Sequence, residues 1–168
     1  TFTGGFSNVT ANDLDVLDDE TYLVSLPFTF LFYNAPYTTV YISTNGWVSF
    51  GADPGTSASA SAHLPAYGDP AKAVYPWWDD LYYDPWECPG ADPEIYYEIQ
   101  GSSPNRVLVV HYNDACVWES FLPEGVLTFQ VRLYETTNII EFLYDCSGWS
   151  ASWIGAATVG LEENDLTD

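Results

Sequence analysis

Residues 37–51 read Tyr-Thr-Thr-Val-Tyr-Ile-Ser-Thr-Asn-Gly-Trp-Val-Ser-Phe-Gly, and no other stretch limits the fold so tightly. β-Branched and aromatic residues flank Asn45 and Gly46, the pair that tolerates positive φ at both centres of a type I′ turn. The spacing predicts strands over 38–44 and 47–50 joined by a tight hairpin. A second run, Tyr75-Pro76-Trp77-Trp78-Asp79-Asp80-Leu81, predicts another strand over 73–77 that ends at two acids.

Period-two alternation recurs through the rest of the chain, and no window repeats apolar residues at helical spacing for three turns. Over 126–134, Leu127, Phe129, Val131 and Leu133 face one way while Thr128, Gln130, Arg132 and Tyr134 face the other. Over 138–144, Ile140, Phe142 and Tyr144 point inward and Glu141 outward, so 126–145 reads as a hairpin with one wet face. A second hairpin joins 94–100 to 106–112 through the turn cluster 101–105. The run 107–110 is apolar on both faces, which predicts a central strand covered on each side. Adding strands over 22–26, 28–32 and 154–161 gives about ten short strands, an antiparallel, jelly-roll-like β-sandwich with negligible helix. The whole chain, 1–168, reads as one domain, with 1–21 as an N-terminal arm or exchanged strand. Four loops stand out, at 10–21, 52–71, 83–93 and 113–125. Loops of that length in a compact domain are functional or mobile.

Charge narrows the partners. Lys72, Arg106 and Arg132 are the basic residues against 24 Asp and Glu, for a formal net charge of −21. Such a surface repels nucleic-acid phosphates and anionic lipid and attracts divalent cations or basic proteins. No apolar run reaches the roughly 20 residues of a bilayer span, so direct membrane insertion is not expected. A start at Thr1 reads either as an arbitrary boundary or as a mature, secreted protein after removal of a signal peptide, and the second is the expectation.

The three cysteines are Cys88, Cys116 and Cys146. None sits in a C-x-x-C pair, and neither His63 nor His111 has zinc spacing. If 101–105 turns the second hairpin, Cys88 and Cys116 lie beyond its open ends on one side of the sheet. That bookkeeping predicts a Cys88–Cys116 disulfide, with Cys146, after the neighbouring hairpin, as the competitor. A disulfide would place the chain in an oxidising, extracellular setting.

Phe28-Thr29-Phe30-Leu31-Phe32-Tyr33, followed by residues 37–51, resembles the nidogen-like (NIDO) extracellular module. The resemblance is stronger to related modules of large secreted bacterial and archaeal surface proteins. It runs on through 73–81, 95–97, 107–112, 127–135, 140–144 and 157–161, and so covers most of residues 22–161. It implies a β-rich, non-enzymatic domain of matrix or adhesive proteins, and carries over no functional residues. The chain departs from the pattern in its acidity and in the cysteine-bearing insertion at 83–93.

Several constellations compete for a role. Asp79 and Asp80 are adjacent in a strand, so their carboxylates point to opposite faces and do not converge as an acid–base pair. One of them opposite Glu94, Glu98 or Glu119 would make an acidic glycoside hydrolase. In a chain this rich in acids, such a pair also arises by chance. The plainer reading makes both residues strand-end caps of the following turn. Between these stands calcium, held by hard oxygen donors from Asp79, Asp80, Asp18 and Asp19. The run 13–20 lacks EF-hand spacing. Tyr83, Trp86 and Trp118 fall near loops and suit either sugar stacking or an interface. Asn8-Val9-Thr10 is a glycosylation sequon, and the Ser/Ala run at 56–62 suits O-glycosylation. No nucleophile has a histidine partner suggested by the sequence, and no phosphate loop is present, so the expectation is not an enzyme.

Residues 1–6, with Thr1, Phe2 and Phe6, are apolar and stand apart from the main strands. Such a segment can pair within its own sheet or add to the edge of a neighbouring copy. The expected role is therefore an extracellular structural or adhesive module, joined into filaments by strand addition. Its partners would be neighbouring copies or other surface proteins. A carbohydrate-binding module is the alternative.

Overall fold

Alternation at period two organises the molecule as it does the sequence. The computed structural model describes residues 9, 12–14, 18–53, 59, 62–64, 70–84, 88, 92–118, 126–147 and 157–163. Among these are eleven strands and no helix. In chain order they are β1 (Asp13–Leu14), β2 (Thr21–Phe32), β3 (Ala35–Ser43), β4 (Val48–Phe50), β5 (Ala73–Trp78), β6 (Leu81–Tyr82), β7 (Glu94–Gln100), β8 (Val107–Val117), β9 (Leu127–Tyr134), β10 (Ile140–Asp145) and β11 (Thr158–Glu162).

Two antiparallel sheets result. One has the order β1-β7-β8-β9-β10, with β6 also paired to β8, and the other runs β11-β5-β4-β3-β2. Each sheet is a meander of sequence neighbours, closed at one edge by a strand from the other half of the chain. The core lies between them. Val24, Leu26, Phe28, Phe30 and Phe32 of β2 meet Leu108, Val110 and Tyr112 of β8 and Leu127, Phe129, Val131 and Leu133 of β9. Each such side chain contributes about 1.5–3 kcal/mol relative to exposure. Phe32 and Phe50 stack at 4.4 Å, as do Tyr112 and Phe129. A second, smaller core covers the far face of the β5 sheet, where Trp47, Ala73, Tyr75 and Trp78 pack with Ala62 and Leu64. Part of the expected 52–71 loop thus serves packing.

Four expectations are corrected. The strands foreseen at 22–26 and 28–32 are one strand, β2, running through Pro27. Proline is tolerated there because β2 is an edge strand, so its missing N–H removes no essential ladder bond. The 113–125 loop begins later than expected, because β8 continues to Val117 across an irregularity between Tyr112 and Ala115 where Asp114 takes φ +50°. The arm at 1–21 is shortened, since Asp13 and Leu14 pair with Tyr96 and Ile95 of β7.

The wet face of the β9–β10 hairpin is the fourth correction. Gln130 and Arg132 are buried (0% and 6% exposed) on the side away from the main core. They survive there as a network. Arg132 donates to Gln130 Oε1 at 3.0 Å and to Glu141 Oε2 at 3.1 Å, and Tyr134 donates to the same carboxylate at 2.8 Å. Gln130 Nε2 lies 3.0 Å from Nδ1 of His111, whose pKa burial pushes down. A charged group stays in such a place only when its hydrogen bonds are made.

Candidate functional site

The β3–β4 connection sits at one pole of the sandwich and gathers the residues that the sequence singles out. Val48 pairs with Ile42, and Ser43 N donates to Trp47 O at 3.0 Å, leaving residues 44–46 as the loop. Only Gly46 (φ +74°) has positive φ there; Asn45 does not. The type I′ expectation is therefore corrected to a three-residue loop with glycine in the left-handed position.

What demands Asn45 and Gly46 is tertiary. A Cβ on Gly46 would lie 1.9 Å from the carbonyl oxygen of Trp77, so only glycine lets β5 pass this close. Trp77 N donates to Gly46 O at 3.3 Å. Asn45 is fully buried. Its Oδ1 accepts from Leu81 N at 2.9 Å, and its Nδ2 donates to Asp19 Oδ1 at 2.7 Å. One side chain thereby joins the turn, the β5–β6 link and the loop that precedes β2. Tyr83 and Tyr112 add hydroxyl donations to Thr44 O and Ser43 O, each at 3.0 Å. Burial raises the pKa of both phenols, well above the ordinary value for Tyr83.

Asn45 presents Asp19 to its neighbours. Asp18, Asp19 and Asp80 each place one carboxylate oxygen within 4.8 Å of the others. Asp18 and Asp19 are exposed and Asp80 is half-buried. The carboxyl of Asp18 is held above its ordinary pKa, first by burial and then by the charge of Asp19. Like charges this close favour protonation or a cation between them. Three of the four acids expected to hold calcium thus converge. Asp79 does not join them; its Oδ1 accepts from Asp80 N at 3.0 Å, as a strand-end cap does.

Trp118 lies at the same pole. Its backbone N donates to Asp80 O at 2.8 Å, and its ring, 47% exposed, meets Tyr82 edge-on at 5.5 Å. Tyr83, expected beside it as a binding ring, is instead buried, because its hydroxyl is drawn in to cap the Thr44 carbonyl. Cys88 and Cys116 form the expected disulfide, with Cα atoms 6.2 Å apart, and pack with Tyr82. Cys146 is a free, exposed thiol. Trp86, Asn8, Thr1, Phe2 and Phe6 lie outside the described residues.

Sequence reasoning missed Asn45 as a hub and Glu135 as an ion-pair partner. At the opposite pole Glu135 takes a forked pair of bonds from Arg106, at 2.6 and 2.8 Å, and the guanidinium also stands 5.5 Å over the Phe28 ring. Only the scarcity of cations pointed toward it. With three in the chain, each was a candidate for a specific partner.

No curated protein and no solved structure matches the chain. A match to the NIDO-related family extends over residues 1–168, and the chain belongs to that family.

Proposed function

We propose that this chain is a non-enzymatic extracellular structural or adhesive module that acts by surface contact and is joined to like copies by strand addition. Family membership supports the extracellular setting. The Cys88–Cys116 bond supports it too, since disulfides persist in oxidising compartments. One observation carries the assembly reading. Edge strand β11 presents Val159 and Leu161 to solvent, 54% and 45% exposed, although Leu161 lies opposite the fully buried Val74. Partners in register share a face, so this edge is apolar on the side that elsewhere fills the core.

In this reading Asp18, Asp19 and Asp80 take calcium, which offsets their repulsion and stiffens the loop pole. Sedimentation velocity across a wide concentration series tests the assembly. Growth of the weight-average mass with concentration supports it, and one monomer boundary throughout overturns it. A glycan-binding reading rests on the exposed Trp118 ring. Glycan-array binding that disappears in Trp118→Ala would favour it, and an array without signal would remove it.

A further inference from the structure

Among the described residues β11 is an edge of its sheet, and the role given to it here rests on the assembly reading above. Within β11 the two faces are inverted from the usual order. Thr158 and Gly160 lie under the outer layer, where Thr158 Oγ1 donates to Ala62 O and a Cβ on Gly160 would meet Leu64. Val159 and Leu161, on the core-facing side, are exposed. The stacking explains this. Tyr144 of β10, the edge of the opposite sheet, donates to Pro76 O at 2.6 Å and packs edge-on to Trp77, both in β5. β10 therefore stands over β5, and β11 projects beyond it as a ledge.

We infer that this ledge receives residues 1–6 of a second copy as an added strand. The segment Thr1-Phe2-Thr3-Gly4-Gly5-Phe6 sets Phe2, Gly4 and Phe6 on one face and Thr1, Thr3 and Gly5 on the other. That face matches the ledge, with two rings to cover Val159 and Leu161. The segment carries no charged side chain. In a chain of net charge −21 it can approach another copy without adding carboxylate repulsion.

Reach excludes the same copy's ledge. Asn12 is fixed beside β7, where its O accepts from Tyr97 N and its Nδ2 donates to Tyr97 O. That is the β1 edge of the sheet, and β10 is the other. Four strand spacings separate the two edges, about 19 Å at roughly 4.8 Å each. β11 lies farther still, in the second sheet about 10 Å away. From Asn12 back to Phe6 an extended chain covers about 20 Å. The reach is spent before the segment can lie along β11, so a neighbour's β11 is the one available.

Cysteine trapping tests this in the full chain with Cys146→Ser. One population carries Phe2→Cys, Gly4→Cys or Phe6→Cys, and a second carries Leu161→Cys. Mixed under mild oxidation, they are expected to give a covalent dimer containing one chain of each kind. Val159→Asp with Leu161→Asp, both at exposed positions, is expected to raise the assembly midpoint at least about tenfold. If wild-type chains assemble, but no mixed dimer forms and the aspartate variant keeps the wild-type midpoint, the ledge assignment falls and the assembly reading stands. If a chain carrying both cysteines closes only on itself, the second copy is wrong. If wild-type chains stay monomeric, both readings fall together.

Discussion

Replacing Asn45 by alanine tests whether the loop pole is held by one buried amide. The substitution removes the acceptor of Leu81 N, which is itself fully buried. An orphaned buried N–H costs about 1–3 kcal/mol. The donation to the Asp19 carboxylate is lost as well, but Asp19 is exposed and rehydrates, so that loss is near 1 kcal/mol. The sum is about 3 kcal/mol. Urea unfolding followed by tryptophan fluorescence reads it as a lower midpoint with an unchanged slope. Asn45→Asp sharpens the test. It keeps an acceptor for Leu81 but sets a carboxylate where the amide now lies 2.7 Å from Asp19. Two such charges repel by several kcal/mol at the effective dielectric of a protein surface. The aspartate variant should therefore be less stable than the alanine variant at neutral pH and recover as acid protonates one partner. A loss below about 1 kcal/mol for alanine, or an aspartate variant as stable as wild type at pH 7, refutes the hub.

Further outcomes follow from the same geometry. Gly46→Ala puts a methyl into the Trp77 carbonyl at a positive φ, so where an ordinary helix or strand Gly→Ala exchange gains roughly 1 kcal/mol, here it should cost stability and lower the thermal midpoint sharply. Glu135 has its carboxyl drawn down to about 2 by the Arg106 guanidinium. Its contribution to stability is present above the ordinary glutamate range and is lost only as pH falls through about 2. A carbon-detected titration should show this shift, and Arg106→Gln should abolish it. Asp18 runs the other way. Its pKa is raised first by burial and then by the charge of Asp19, so ionised Asp18 opposes folding above that value and the penalty relaxes as pH falls through it. Calcium should consequently raise the thermal midpoint more at neutral pH than in mild acid, and Asp18→Asn with Asp80→Asn should remove the difference. Reduction of Cys88–Cys116, which closes a separation of 28 residues, should cost about 3.5 kcal/mol by loop entropy.

Local pattern and tertiary demand separate cleanly in this chain. The alternation of β2 and β9 was legible because one face of each meets the core, and the doubly apolar run 107–110 marked β8 as central. The disulfide was legible because hairpin geometry carries both cysteines to one pole. Asn45 and Gly46 were legible as a turn for a partly wrong reason. Local turn chemistry alone suggests a type I′ pair, whereas the contact with Trp77 and the bonds to Leu81 and Asp19 come from residues far along the chain. Gln130 and Arg132 obey alternation yet are buried, because His111 and Glu141 on neighbouring strands satisfy them. Tyr83 sat in a loop by sequence and in the core by structure, since the Thr44 carbonyl needed a donor. β1 and β6 are two residues each, too short for any periodicity to register.

Electron microscopy of the purified 168-residue chain at rising concentration decides whether copies join end to end through β11. Filaments are expected for the wild type and should be lost in Val159→Asp with Leu161→Asp, with the sandwich still folded by circular dichroism. Dispersed single particles at every concentration, or filaments undiminished by the two aspartates, would contradict joining through β11.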